Sequence, residues 1–261
     1  MANAIFQAAD ENILRTATWA VTAGSTIYNP VYFRRLDPAI HVVFAGASGT
    51  LVAAIPSARG DVLAIPVTNA YSLTVTNGAG LSVSVPVPVM PTSGIPFTLV
   101  CDLALLEPNP TTRTSNVWGF AFTSISGALA VGAAIALYAP RRELLDGDFQ
   151  WGGTETRAAF GNAQESAAGV RYLNPRQAMR RSARLTKLAL QDDVEALQGW
   201  FDGSRGRFDA ALLWPDPDVN DAYFGTLGER LDVTRVAPTS DGPVFSVSLQ
   251  FDELTKGRPV V

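Results

Sequence analysis

Side chains able to do chemistry are few and scattered in this sequence. The 261-residue chain has one histidine, His41, and one cysteine, Cys101. His41 stands in the run Ile40-His41-Val42-Val43-Phe44, where a strand residue that faces solvent or makes one hydrogen bond is expected rather than a general base. Cys101 lies between Val100 and Asp102 in a strand-like run, the setting of a small buried hydrophobe rather than of an activated thiolate. One cysteine closes no internal disulfide, and one histidine builds no His-rich metal centre. The sequence contains neither a Gly-x-Ser-x-Gly elbow nor a glycine-rich phosphate loop with lysine. Gly24-Ser25, Gly46 and Gly49 read as turn residues.

Paired carboxylates are the remaining enzymatic option, as in glycoside hydrolysis. Asp146, Asp148, Glu155, Asp216, Asp218 and Asp221 are the candidates, and acidic residues in turns ordinarily face water. The stretch from Asp216 to Asp221 begins like a calcium loop but has Asp221 where the turn needs Gly and Leu227 where the bidentate Glu belongs. It reads as a polar turn after Trp214-Pro215. Arg176, Arg180, Arg181 and Arg184 form a basic cluster. The chain carries a net charge of −4, which disfavours nucleic acid as the main ligand and favours subunit contacts for these arginines. Trp19, Tyr28, Tyr32, Phe33, Tyr71 and Trp118 could stack on a sugar where exposed, although aromatics on strands mostly fill cores. The sequence therefore points to a protein with no enzymatic activity, cofactor or metal.

The elements that must position these residues are mostly strands. Tyr71, Leu73 and Val75 alternate with Ser72, Thr74 and Thr76, Asn77-Gly78-Ala79-Gly80 follows, and Leu81, Val83 and Val85 alternate with Ser82 and Ser84. This spacing predicts a hairpin whose tight reversal takes its positive φ angles from Asn-Gly. Similar short runs cover Ile40 to Phe44, Thr50 to Ile55, Val62 to Val67, Phe97 to Leu103, Val117 to Thr123 and Ala133 to Tyr138, a density expected of a β-sandwich or jelly roll. The prolines of Pro86, Pro88 and Pro91 mark an edge strand or linker. No helix longer than a turn or two is expected before residue 140.

Further along, a strand is expected over Ser182 to Leu190. A helix follows near 192–202, with Asp192 or Asp193 as N-cap, Val194, Leu197, Trp200 and Phe201 on one face, and Gly203 as its stop. Phe208 to Trp214 reads as a strand that Pro215 ends. The last strand alternates most clearly: Phe245, Val247, Leu249 and Phe251 against Ser246, Ser248, Gln250 and Asp252, entered through Asp241-Gly242-Pro243.

Charge density sets the expected domain boundary. Residues 1–140 hold five Arg, no Lys and six acidic residues, whereas 141–261 hold 15 basic and 18 acidic residues. A break near Pro140-Arg141-Arg142 therefore divides two units with different surfaces. Apolar residues make up 47% and charged residues 17% of a chain with 22 Gly and 17 Pro, the make-up of a turn-rich folded protein. Met1 to Arg15 lacks the basic start and apolar stretch of a secretory signal. The most apolar window, Gly127 to Ala139, spans 13 residues, too short to cross a bilayer as a helix.

From Arg180 onward the order of parts resembles the belt-type domains of phage distal tail and related tail-hub proteins. The likeness is carried by the strand Arg184 to Leu190, the helix with Trp200-Phe201-Asp202, the loop Gly203-Ser204-Arg205-Gly206-Arg207-Phe208 and the strand ending Leu212-Leu213-Trp214-Pro215-Asp216. It continues through Tyr223-Phe224-Gly225-Thr226-Leu227, a strand near Leu231 to Val236, and Phe245 to Phe251 closing on Asp252-Glu253-Leu254, and covers roughly residues 145–255. In the first unit, Phe97-Thr98-Leu99-Val100-Cys101-Asp102-Leu103 and Val117-Trp118-Gly119-Phe120-Ala121-Phe122 resemble galactose-binding or carbohydrate-binding sandwiches, and no sugar-binding residue is carried over.

The resemblances imply a mainly β protein with one prominent helix: an N-terminal jelly-roll-like β-sandwich over 1–140 and a tail-tube or belt-like β domain over 141–261 packed on a helix. They imply a structural subunit of a tail tip or baseplate, made in the host cytoplasm and resident in the virion tail. Such a subunit forms a homo-oligomeric ring that joins the tail tube to other tail proteins, without catalysis or cofactor. Arg180, Arg181 and Arg184 are the expected subunit-interface residues, and carbohydrate is the ligand class implied for the first unit. A glycan-binding module or a receptor-binding tail accessory protein is the alternative.

Overall fold

A computed structural model describes residues 5–7, 9–24, 26, 41–66, 70–85, 87, 98–124, 129–132, 135–141, 149–150, 156–165, 171–204, 211–214, 222–239 and 242–253. The chain opens with β1 (Ile5–Gln7) and two 3₁₀ turns (Ala9–Glu11 and Ile13–Thr16), followed by β2 (Thr18–Ala23), β3 (His41–Val43), β4 (Ser48–Arg59) and β5 (Val62–Pro66). A hairpin of β6 (Ala70–Asn77) and β7 (Ser82–Val85) precedes β8 (Thr98–Asp102), the single helical turn α1 (Leu103–Leu106) and β9 (Thr114–Ser124). Next come β10 (Ala130–Gly132), β11 (Ala136–Tyr138), β12 (Phe149–Gln150), β13 (Thr156–Glu165) and β14 (Arg171–Ala189). The helix α2 (Gln191–Ser204), β15 (Ala211–Trp214), β16 (Tyr223–Thr239) and β17 (Gly242–Glu253) complete the described chain. The protein is mainly β with little helix.

Among the described residues, strands pair antiparallel in four sheets: five strands in the order β2-β4-β9-β6-β7, three in the order β11-β5-β8, the pair β10-β3, and seven running β1-β15-β16-β17-β14-β12 with β13 also on β14. The first three sheets share one core. Leu51, Leu73, Val75, Trp118, Phe120 and Phe122 of the five-stranded sheet meet Leu63, Ile65, Leu99 and Cys101 of the three-stranded sheet and Val42 and Val131 of the pair. Each such side chain taken fully from water contributes about 1.5–3 kcal/mol. The alternate residues of the three-stranded sheet, Val62, Ala64, Val100, Ala136 and Tyr138, enter a second cluster with Ile5, Leu212, Trp214, Ala222 and Phe224. Period two thus explains why Val62-Leu63-Ala64-Ile65 is continuously apolar: both faces of β5 are buried.

Strand pairing crosses the boundary drawn at residue 140. Strand β1 lies in the seven-stranded sheet, with Ile5, Phe6 and Gln7 opposite Trp214, Leu213 and Leu212. Asn12 ties the same segment to β11, its Oδ1 accepting from the Leu14 and Leu137 amides at 3.1 and 3.0 Å.

The β6–β7 hairpin forms with Leu73 opposite Val85 and Thr76 opposite Ser82, but its left-handed residue is Gly80, at φ +93°, rather than Gly78. Asn77 organises the turn from its side chain, accepting from the Ala79 and Leu81 amides at 2.9 and 3.0 Å. The expected strand over Ser182 to Leu190 is the end of the 19-residue β14, and the segments near Tyr223 and Leu231 are one strand, β16, with a register shift between Leu227 and Leu231. Helix α2 runs to Ser204, past the expected stop at Gly203. It buries Val194 against Ala189 and Val247, with Leu231, Val233 and Phe245 packed around them. No helix among the described residues is long and apolar enough to cross a membrane.

Candidate functional site

Among the described residues, three places concentrate polar or unusual chemistry: a buried charge cluster, a polar groove on β14, β16 and β17, and a charge-free sheet face. The charge cluster sits at one end of the first core. Asp61, in the tight β4–β5 connection, is 1% exposed. Its carboxylate accepts from Arg113 and from the Arg141 amide at 3.0 Å, and pairs with Arg59 Nη2 at 2.8 Å. Asp102 ends β8 and caps α1, accepting from the Leu105 amide at 3.1 Å. Its other oxygen takes Arg141 Nε at 2.5 Å. Burial, and secondarily the neighbouring Arg59, pull the Arg113 guanidinium below its ordinary pKa. Backbone bonds lock the frame: Asp61 donates to the Tyr138 carbonyl at 2.8 Å and Gly60 to the Arg113 carbonyl at 2.9 Å. Both oxygens of each carboxylate take donors from within the chain, so the arrangement fastens strand ends to residue 141.

Cys101 is buried, and desolvation followed by the adjacent Asp102 charge pushes its thiol up to about 12. It is a core thiol, held protonated at neutral pH. His41 occupies a strand position opposite Gly132. Among the described residues no group of three His, Cys, Asp or Glu side chains is placed to hold a metal ion. The six carboxylates considered for hydrolysis and the calcium-like loop lie outside the described residues.

The arginine cluster lies along β14. Arg180 is paired with Ala158 and Arg181 with Arg157 across the β13–β14 ladder, while Arg184 pairs with Gln250 of β17. Arg180 and Arg184 share strand parity; Arg181 has the opposite parity. Arg176 falls where the β13–β14 register shifts. The Arg184 side chain, 62% exposed, donates to Ser248 Oγ at 2.7 Å and lies 3.6 Å from Asp232. With Thr186, Thr234 and Ser246 these residues line an open groove of about 400 Å³. An ion pair this exposed contributes about 0–1 kcal/mol, so Arg184 is available to outside partners at little cost to the fold.

The outward face of the five-stranded sheet is legible from its register. One row across the strands reads Ala23, Thr50, Ala121, Thr74 and Ser84, and the next reads Ala20, Val52, Gly119, Thr76 and Ser82. Shorter rows flank them: Ser48, Thr123 and Ser72 on one side and Thr18, Ala54 and Val117 on the other. Every position is Ser, Thr, Ala, Val or Gly. Ala20, Ala54, Thr76, Ser82, Ser84 and Val117 are exposed. At Gly119 an added Cβ would lie 2.5 Å from Thr76 Oγ1, so a side chain there would have to displace that hydroxyl. Of the aromatics considered for sugar stacking, Trp19 and Trp118 are core and Tyr71 is exposed; Tyr28, Tyr32 and Phe33 lie outside the described residues.

Sequence reasoning missed the charge cluster and the charge-free face. Their signals were present: acidic and basic residues set between apolar strands of a charge-poor half, and hydroxyls on one parity of successive strands. Comparison with protein-family models, with curated proteins and with solved structures gives no match.

Proposed function

We propose that this chain is a non-enzymatic structural component of a phage tail tip or baseplate, working as a homo-oligomeric ring that joins the tail tube to tip proteins. The observation that carries the reading is the sheet order β15-β16-β17-β14 with α2 packed on it. The parts whose succession resembles a belt-type domain, Leu212 to Trp214, Tyr223 onward, Phe245 to Phe251 and Arg184 to Ala189, lie side by side in one antiparallel sheet. On this reading residues 1–140 are a sandwich facing other tail proteins, residues 141–261 are the ring-forming unit, and Arg180, Arg181 and Arg184 contact the neighbouring copy. Arg suits that role because its planar fork pairs with carboxylates across interfaces.

The test is immunogold electron microscopy on tailed particles produced by cells that encode the chain. Label confined to the distal end of the tail supports the reading. Chain recovered only outside particles, or label on the capsid, contradicts it.

A further inference from the structure

Strand β14 runs well past the sheet that holds it. Its residues Ser182 to Ala189 pair with β17, whereas Arg171 to Arg181 pair with β13 and, among the described residues, with no other strand. β13 and this part of β14 form a two-stranded arm, continuous with the seven-stranded sheet through β14. We propose that the arm closes the ring by lying on the acidic face of α2 in the neighbouring copy. The inference rests on the ring reading and names the two surfaces that meet.

Local charge is the first argument. Residues 156–182 hold five Arg, no Lys and one acidic residue, Glu165, a formal charge of +4. The rest of 141–261 holds ten basic and 17 acidic residues, or −7, while residues 1–140 come to only −1. The charge that complements the arm therefore sits in the ring-forming unit. Helix α2 alone accounts for −4 of it, with Asp192, Asp193, Glu195 and Asp202 and no basic residue. Asp192, Glu195, Gly199 and Asp202 recur at steps of three and four, which places them on one face, and all four are exposed. Val194 and Phe201 are buried on another face. Nothing lies within 4 Å of a Cβ added at Gly199, so the middle of the acidic stripe is open to a strand laid across it. The ladder supplies the second argument. Arg157 stands opposite Arg181, and like charges directly opposite destabilise a strand pair. A two-stranded ribbon is also marginal in water by itself. An acidic surface beneath the arm offsets both costs. Topology is the third. At a rise of about 3.3 Å per residue, Arg180 is about 30 Å and Arg171 about 60 Å along the strand from Leu190, where α2 begins. Arm and helix are thus separate patches of one copy, and contact between two different patches is head to tail, the kind that closes rings.

A charge swap in the full chain, followed by sedimentation velocity, tests the contact. Arg180→Glu with Arg181→Glu, and separately Glu195→Arg with Asp202→Arg, should each weaken association by about tenfold or more, and all four together should recover most of the loss. Every variant should keep the wild-type circular dichroism spectrum. Glu195 and Asp202 are exposed, so the helix variant reads the contact even where the arm variant disturbs β14. Association unchanged in the helix variant, or a loss that the combination does not recover, overturns the proposal and leaves the ring reading standing. A wild-type chain that stays monomeric overturns the ring reading and this contact with it. Retention of a DNA duplex that the arm variant loses, with self-association unchanged, overturns the proposal in favour of nucleic acid as the arm's partner.

Discussion

Arg141 reaches back from the end of the first core to Asp102, its Nε 2.5 Å from the carboxylate Oδ2, while its backbone amide donates to Asp61. The residue at which charge density changes is therefore fastened to the charge-poor half by two buried carboxylates. Substituting one partner of a buried pair leaves the other desolvated and uncompensated, a loss of about 3–5 kcal/mol. Asp61→Ala should lower the unfolding free energy by about that much because Arg113 loses its counter-ion. Urea denaturation followed by fluorescence measures it; an unchanged midpoint would show that the cluster carries no stability.

Strand β1 makes the N-terminal segment part of the seven-stranded sheet. Ile5 is fully buried in the cluster with Leu212, Trp214 and Phe224, so Ile5→Ala should cost about 2–5 kcal/mol. Removing residues 1–7 should expose the β15 edge and raise the tendency to aggregate, read by light scattering during storage. A truncated chain as stable and dispersed as the full one would argue against this pairing.

The strongest local patterns were legible in the sequence. The alternation of Phe245, Val247, Leu249 and Phe251 became β17, the Asn77 turn became the β6–β7 hairpin, and Val194 and Phe201 became the buried side of α2. Pairings such as Ile5 with Trp214 were not legible, because nothing in three residues of local pattern says which distant edge they complete. The doubly buried β5 left a clue in its unbroken apolar run, which periodicity alone does not assign to two cores. For the candidate surfaces, the strand end carrying Arg184 was readable, whereas Arg180 and Arg181 stood outside the expected strand and lie within β14. The face of Thr50, Thr74 and Thr76 needed the register of β4, β9 and β6 before its hydroxyls lined up.

Cys101 gives a pH dependence with a definite sign. Its thiol is raised from 9.0 to about 12 by burial and by Asp102, so above pH 9 the unfolded chain releases a proton that the folded chain retains. The stability tied to this group is complete below about pH 9 and is lost as pH rises toward about 12. Thermal melts should show an alkaline decline that is shallower in Cys101→Ala; equal declines in both proteins would assign it to other groups.

Arg184→Glu separates assembly from folding. The Arg184 and Asp232 side chains are 62% and 59% exposed, so the substitution should change stability by no more than about 1 kcal/mol. It should weaken ring formation, most strongly at low salt where charge steering is least screened. Assembly unaffected at every ionic strength would remove this arginine from the interface.

Ring formation is tested most directly by native mass spectrometry of the purified full chain, with negative-stain images of the same sample. The expected result is one dominant closed stoichiometry, seen as rings of uniform diameter. A chain that remains monomeric, or that forms open aggregates of every size, would contradict it.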